Sequence, residues 1–157
     1  MTPLITISIT NRQKKLPVDR RRMRRVVQAI VRDAGIADGQ ISIAVVDDAA
    51  IAKLHNEYLN DPEPTDVLSF ALQSSPGYLE GEVIVSADAA IASAPRFRSS
   101  AAGELLLYVI HGTLHLVGYD DATPKKRATM RRHEKKYLGM NCTTETRRTQ
   151  RRVRKEG

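Results

Sequence analysis

Apolar and polar residues alternate with two different periods along the chain, and each period predicts one kind of element. The segment 4–10, LITISIT, alternates at every second position and is rich in β-branched side chains, which indicates a strand with one buried face. Between 18 and 34 the apolar residues recur every third or fourth position, arginines occupy the other faces, and Gly35 follows. This second pattern predicts an amphipathic helix that ends at a glycine.

The same two periods, followed to residue 138, predict four strands and five helices. The strands are predicted at 4–10, 41–48, 65–72 and 82–87. The helices are predicted at 18–34, 47–59, 86–95, 100–117 and 124–138. A loop is expected at 60–64, where two prolines stand within three residues, and a turn is expected at 74–81. This order indicates one α+β domain with a mixed four-stranded sheet packed against about five helices.

Length and composition favour a single globular domain with an aliphatic core. The chain has 157 residues, 41% of them apolar, and no Trp. We predict a domain over 1–140 and a basic, flexible tail over 141–157. No apolar run approaches the roughly 18 residues of a membrane span, and the N-terminus has no basic region typical of a signal peptide. The lone Cys142 excludes an intrachain disulfide, so we expect a cytoplasmic protein with no membrane and no disulfide-linked partner.

Charged residues are distributed unevenly along the chain, and this distribution bears on which ligands the protein could bind. Residues 1–32 carry nine basic side chains against one acidic, and residues 122–157 carry thirteen against three. Residues 33–121 carry three basic side chains against fourteen acidic ones. An acidic middle suits a cation, and basic flanks suit a polyanion, although solvated helix faces can be basic without any ligand. The clusters DRRRMRR at 19–25 and RRTQRRVRK at 147–155 favour nucleic acid.

The motif HGTLHLVGYDD at 111–121 is the strongest chemical feature of the sequence. His111 and His115 are four residues apart in a predicted helix, so they lie one turn apart on one face and could share a zinc ion. Gly118 permits a positive φ that ends the helix and turns Asp121 back towards the same ion. Asp120 is an alternative third ligand, although the spacing favours Asp121. Gly112 stands where the zinc peptidases with this spacing carry a general-base Glu, which argues against peptide cleavage.

Three blocks of the sequence resemble the YbeY family of ribosomal-RNA maturation endoribonucleases. YVIHGTLHLVGYDD, followed by Met130 and Glu134, resembles the family motif HGxLHLxGYDH with a downstream MxxxE. LHNEYLNDPEPTDVLSF at 54–70 resembles the family's LNxxYRxxDxPTDVLSF, and GEVIVS at 81–86 resembles its LGDIVIS strand. The resemblance extends over about residues 4 to 140 and implies a zincin-like α+β fold with one metal ion in a cleft.

The resemblance also implies a function and a set of site residues. It implies metal-dependent hydrolysis of single-stranded RNA during maturation of the 3′ end of small-subunit ribosomal RNA, and a part in ribosome quality control. The metal ligands would be His111, His115 and Asp121, and the ion would act as a Lewis acid, as a generator of hydroxide, or both. The partners would be ribosomal RNA and the small ribosomal subunit. The RNA backbone would be bound by arginines, of which we select Arg21, Arg22, Arg24, Arg25, Arg96 and Arg98.

Two departures from the family motif bear on this function. The family's third ligand is usually His, and Asp121 in its place makes the site less positive, so manganese or iron(II) become possible besides zinc. Leu59 replaces a motif Arg that would bind phosphate, so another cation such as Arg96 or Arg98 must substitute or catalysis is reduced. The catalytic base is not assigned, with Glu104 and Asp120 as candidates by proximity in the sequence alone.

Three functions therefore compete at this point. The favoured one is a metal-dependent endoribonuclease of ribosomal RNA. The second is a non-catalytic, ribosome-associated RNA-binding factor that keeps the fold, to which Leu59 and Asp121 lend support. The third, a metallopeptidase, is disfavoured by Gly112.

Overall fold

The predicted α+β architecture is confirmed by a computed structural model, which describes residues 4–61 and 65–140. The predicted tail at 141–157 and residues 62–64 of the predicted loop lie outside the described residues. The elements follow in the order β1 Leu4–Asn11, α1 Arg20–Asp33, β2 Asp38–Val46, α2 Asp48–Leu59, β3 Val67–Ser75, β4 Tyr78–Ser86, α3 Ala87–Ser93, α4 Ala101–Leu116 and α5 Pro124–Leu138.

The four strands form one mixed sheet in the order β1-β2-β4-β3. β1 and β2 run parallel to each other, as do β2 and β4, while β3 runs antiparallel to β4 at the edge of the sheet. The inner strands carry alternating buried residues such as Ile41, Ile43 and Val45, because their apolar face is covered by helices. The edge strand β3 is the one that borders the candidate site.

The hairpin between β3 and β4 is longer than the sequence pattern predicts. The turn expected at 74–81 is confined to Pro76 and Gly77, since β3 continues to Ser75 and β4 begins at Tyr78. Gly77 has φ 75°, which allows the tight reversal. The outer part of β3, residues 71–75, is exposed, and its last three residues are polar. This end of the strand has no buried alternating face and pairs with β4. Pattern alone could not predict strand there.

The core centres on α4, a helix surrounded by other elements. It contacts α1, α3, α5, β3 and β4, which is why nearly all of its faces are apolar. Ser100 caps its N-terminus by accepting a hydrogen bond from the backbone of Gly103. A helix fixed on so many sides holds its side chains in defined positions, and both motif histidines lie in its last two turns.

The C-terminal ends of α1 and α5 are joined by a polar contact. The hydroxyl of Tyr137 donates to Oδ2 of Asp33 at 2.6 Å, and Lys136 Nζ lies 3.5 Å from the same oxygen. The hydrogen bond from Tyr137 lowers the pKa of Asp33, and burial together with Asp33 raises the pKa of Tyr137. Tyr137 is buried, so its ring also belongs to the core.

Replacing Tyr137 by phenylalanine is expected to lower the free energy of unfolding by about 0.5–1.5 kcal/mol at neutral pH. Because the folded-state pKa of Asp33 is depressed, the contribution is complete above the pKa of the unfolded carboxyl. It is lost as the pH falls through the lower folded value. Urea unfolding of wild type and Tyr137→Phe at pH 7 and near pH 3 measures this. The difference in free energy of unfolding between the two proteins should be smaller near pH 3 than at pH 7. A larger difference near pH 3 would contradict the hydrogen bond between Tyr137 and the Asp33 carboxylate as its cause.

Candidate metal centre

The last two turns of α4 bring the two motif histidines together. His111 Nε2 and His115 Nε2 lie 2.9 Å apart, and their rings meet edge to face. Both side chains are partly buried, with 24% of His111 and 30% of His115 exposed. The spacing of four residues accounts for this, since such side chains are neighbours on a helix.

The turn after α4 returns Asp121 to the histidines. Gly118 has φ 110°, and the Tyr119 amide donates to the Leu114 carbonyl at 3.0 Å, which closes the end of the helix. The chain then runs back so that Asp121 Oδ2 lies 3.7 Å from Nε2 of His111 and 3.9 Å from Nε2 of His115. The three side chains thus converge on one point.

Asp120 has other partners. Its Oδ1 accepts from the Ala122 amide at 3.1 Å and its Oδ2 from Lys126 Nζ at 3.2 Å. The amide of Ala122, followed by Lys126, holds the pKa of Asp120 below its usual value. Of the two adjacent carboxylates, Asp121 is therefore the one directed towards His111 and His115.

The geometry of the three donor atoms fits one metal ion. Two ligands that each lie about 2.0–2.1 Å from zinc can be no more than about 4.2 Å apart. The three separations of 2.9, 3.7 and 3.9 Å all meet this limit. His111, His115 and Asp121 could therefore hold a metal. Two imidazoles and one carboxylate leave a coordination position open, as in catalytic rather than structural zinc sites.

Glu134 on α5 contacts this group, which the residue spacing does not reveal. The sequence pattern alone suggests a surface or capping role for Glu134 and a packing role for Met130, and Met130 is indeed buried. Glu134 Oε1, however, lies 3.6 Å from His111 Nδ1, and only 14% of its side chain is exposed. The Glu134 carboxylate raises the pKa of His111. A carboxylate behind a ligating imidazole fixes the orientation of the ring and increases its basicity towards a metal.

Replacing Glu134 by glutamine is expected to weaken metal binding by about 10–100-fold, the usual cost of removing a partner of a ligating histidine. Competition of the purified protein with a zinc-sensitive dye measures the affinity. Glu57→Gln, on the exposed face of α2, is the control for the same change of charge. Equal affinities for Glu134→Gln and Glu57→Gln would show that the Glu134 contact has no effect on the ligand.

Gly112 allows α4 to pack directly on the edge of the sheet. A Cβ atom at this position would lie 2.5 Å from a methyl of Val83, 2.9 Å from Ser69 Oγ and 3.0 Å from a methyl of Val67. Ser69 Oγ donates to the Gly112 carbonyl at 2.9 Å, which ties β3 to the helix between the two histidines. The glycine is thus required by packing, and a side chain such as the Glu of a peptidase has no space there.

Two cavities adjoin the candidate metal centre, and His111 lines both of them. One cavity of about 450 Å³ is lined by both histidines, by Ser69 and Phe70 of β3, and by Leu59. Leu59 is 58% exposed and stands at the end of α2, where the motif arginine of the resemblance would stand. The other cavity, of about 390 Å³, contains Glu104, Phe97 and Glu134 besides His111. Glu104 is only 5% exposed and accepts from Ser99 Oγ at 2.7 Å.

The six selected arginines fall into two groups. Arg21, Arg24 and Arg25 are exposed on α1 and Arg22 is partly covered, and among the described residues none of the four lines either cavity. Arg96 and Arg98 are exposed on both sides of Phe97, which lines the same cavity as His111. Neither Arg96 nor Arg98 lines this cavity itself, but both are next to one of its lining residues in the chain.

The chain is similar in sequence to one family model and to several known proteins that carry the same name as that family. A family model described as Endoribonuclease YbeY matches residues 8–141. A protein of that name from Geobacter sulfurreducens is 37% identical over 73% of this chain and 79% of its own length. One from Salinibacter ruber is 36% identical over 84% of this chain and 89% of its own length. A third, from Rhodopirellula baltica, is 46% identical over 64% of this chain, but this match spans only 53% of that relative.

A solved structure has the same fold. The solution structure of a Thermotoga maritima protein superposes with a TM-score of 0.58 at 28% identity, covering 84% of this chain and 86% of that one. Within the described ranges of this chain, every helix is too short or too polar to cross a membrane.

Proposed function

The chain belongs to the YbeY family of endoribonucleases, and from this premise we propose that it is a metal-dependent enzyme that cuts single-stranded ribosomal RNA. The expected substrate is the 3′ region of small-subunit ribosomal RNA, with a further part in ribosome quality control. We expect it to act in the cytoplasm on the small ribosomal subunit. The observation that carries the proposal is the convergence of His111, His115 and Asp121 beside an open cleft.

In this proposal His111, His115 and Asp121 hold one ion, zinc in the first instance. When bound, such an ion supplies Lewis acidity for a phosphodiester oxygen and lowers the pKa of water at the site. The Asp121 carboxylate makes the centre less positive than three histidines would, so manganese or iron(II) also suit it. Glu134 keeps the His111 ring in place, while Ser69 and Gly112 fix the helix against β3.

The cations near the site bind the RNA backbone in this proposal. Arg96 and Arg98 flank Phe97, a lining residue of the 390 Å³ cavity, in the chain, and would contact phosphates of the bound strand. The exposed arginines of α1 and the basic residues of 141–157 would add attraction that does not depend on sequence. Leu59 supplies no charge at the 450 Å³ cavity, so transition-state stabilisation there rests on the metal and the remaining cations.

The test combines metal analysis with cleavage of a single-stranded ribosomal RNA fragment, with and without chelator. About one metal per chain and cleavage that chelator abolishes would support the nuclease. Leu59→Arg serves as a gain-of-charge variant, which we expect to raise cleavage because a guanidinium can bind phosphate bidentately. Cleavage only in Leu59→Arg, Asp121→His or the double variant would favour the non-catalytic RNA-binding factor. Metal bound without cleavage in any variant would contradict the enzyme.

A further inference from the structure

The proposed function assigns no ligand to the interior of the 390 Å³ cavity, which is lined by residues of α3 and α4 together with His111. Its volume falls within the range of about 300–1,000 Å³ that small-molecule sites occupy. Its apolar lining comes from Val67, Phe97, Leu107 and Tyr108, and His111 forms part of the same wall. A group bound in this cavity would therefore lie next to a phosphate at the metal centre.

Phe97 stands at the rim of this cavity on a turn of fixed backbone. Its amide donates to the Ser93 carbonyl at 3.2 Å, and the Ser99 amide donates to Ala94 at 2.9 Å. Arg98 takes φ 52°, an uncommon conformation for a residue with a side chain, which the same turn holds in place. The Phe97 ring is nevertheless 67% exposed. An exposed aromatic ring on an ordered turn beside a cavity can stack on a ligand, and little conformational entropy of the backbone is lost on binding.

The charges around the cavity distinguish between the parts of a nucleotide. Asp66, Glu104 and Glu134 line it, so a phosphate inside would meet three carboxylates and be repelled. An uncharged base would not be repelled, and the carboxylates can accept hydrogen bonds from its amino group, as carboxylates do from cytosine N4. The cations Arg96 and Arg98 are adjacent to the ring along the chain, where the phosphates on either side of a stacked base would lie.

We propose that this cavity seats one unpaired nucleobase of the RNA strand, stacked on Phe97, next to the phosphate that reaches the metal centre. Bases with an amino group are favoured over uracil, which has none to donate. Arg96 and Arg98 contact the flanking phosphates. The inference rests on the proposed function, since it requires single-stranded RNA in the cleft.

The test uses the full-length, metal-loaded protein and a fluorescent single-stranded RNA of about ten nucleotides, a length near the site sizes of single-strand binders. Anisotropy gives the Kd, with the strand checked by gel to be intact, and single-turnover cleavage is measured separately. Phe97→Ala removes the ring, and Phe97→Tyr keeps a stacking face. Leu72→Ala is the matched control, since Leu72 is 62% exposed on β3 and lines neither cavity. A second series of RNAs lacks one base at each position in turn.

Phe97→Ala is expected to raise the Kd roughly 5- to 150-fold, the range for losing one stacked base, while Phe97→Tyr and Leu72→Ala stay close to wild type. One abasic position should weaken wild-type binding by a similar factor and weaken Phe97→Ala binding no further, because both changes remove the same contact. Equal Kd values for Phe97→Ala and Leu72→Ala, or losses that multiply at every abasic position, overturn the nucleobase site. If either of those results is found while the wild-type protein still cuts RNA in a chelator-sensitive way, the proposed function stands and only the nucleobase site is overturned. If the wild-type protein neither binds nor cuts RNA, the nucleobase site and the proposed function are both overturned.

Discussion

His111→Ala is expected to abolish both metal binding and RNA cleavage. The side chain provides one of three donor atoms, and its Nδ1 is the group that Glu134 contacts, so its loss also leaves that carboxylate without its histidine. The affinity for metal should fall by more than about 100-fold, beyond the range for outer partners of a ligand. Cleavage should fall at least about a thousand-fold, since the metal is worth several kcal/mol of transition-state stabilisation.

The matched control for His111→Ala is His133→Ala. His133 lies on α5 with its ring 4.4 Å from that of Tyr119, and it does not belong to the three-residue group. Metal per chain by mass spectrometry, circular dichroism and single-turnover cleavage should be measured for His111→Ala, His115→Ala and His133→Ala together. Retention of one metal per chain in the His111 and His115 double variant would refute the site assignment.

Asp121→Ala is expected to weaken metal binding by roughly 100-fold, whereas Asp120→Ala leaves the metal content unchanged. The two carboxylates are adjacent in the chain, yet Asp121 lies 3.7 Å and 3.9 Å from the imidazole nitrogens while Asp120 binds Ala122 and Lys126. The size of the effect is that of a lost ligand, larger than the loss of an outer partner. Titration with zinc and a competing dye measures both variants, and the reverse order of affinities would assign the ligand to Asp120.

A third variant, Asp121→His, separates the identity of the ligand from its charge. A neutral imidazole at 121 should keep one metal per chain and make the centre more positive. Water at the site then becomes more acidic, so the rise of cleavage with pH should begin at a lower pH than in wild type. An unchanged pH profile would show that the charge of residue 121 does not set the acidity of the site.

Helices and strands with a clear periodicity of apolar residues can be predicted from the sequence. Segments whose conformation depends on pairing with another part of the chain cannot. The helix at 100–117 is predicted nearly to the residue, because its apolar faces, its Ser100 cap and its Gly118 stop are all local signals. The outer end of β3, residues 73–75, is missed, because its polar residues are held in the strand by pairing with β4. This segment of β3 lacks the alternation on which strand prediction depends.

The candidate site divides in the same way. The placement of His111, His115 and Asp121 follows from spacing within eleven residues and one turn, so geometry could be predicted from the motif. Glu134 comes from another helix, and spacing gives no sign that α5 lies against α4. The only available signal for it was the downstream MxxxE of the family resemblance. Phe97 offers no signal at all, since an exposed aromatic is identified only when the cavity beside it is known.

The close packing at Gly112 also limits how this fold can evolve. Changing this site into that of a zinc peptidase would require an acidic side chain at position 112, which is the single substitution Gly112→Glu. The first carbon of that side chain already overlaps Val83, Ser69 and Val67, so three neighbours on two strands would have to shrink or shift beforehand. Each of those intermediate steps opens space in the core before any new activity exists to be selected. Close packing around Gly112 therefore hinders the evolution of peptidase activity from this site.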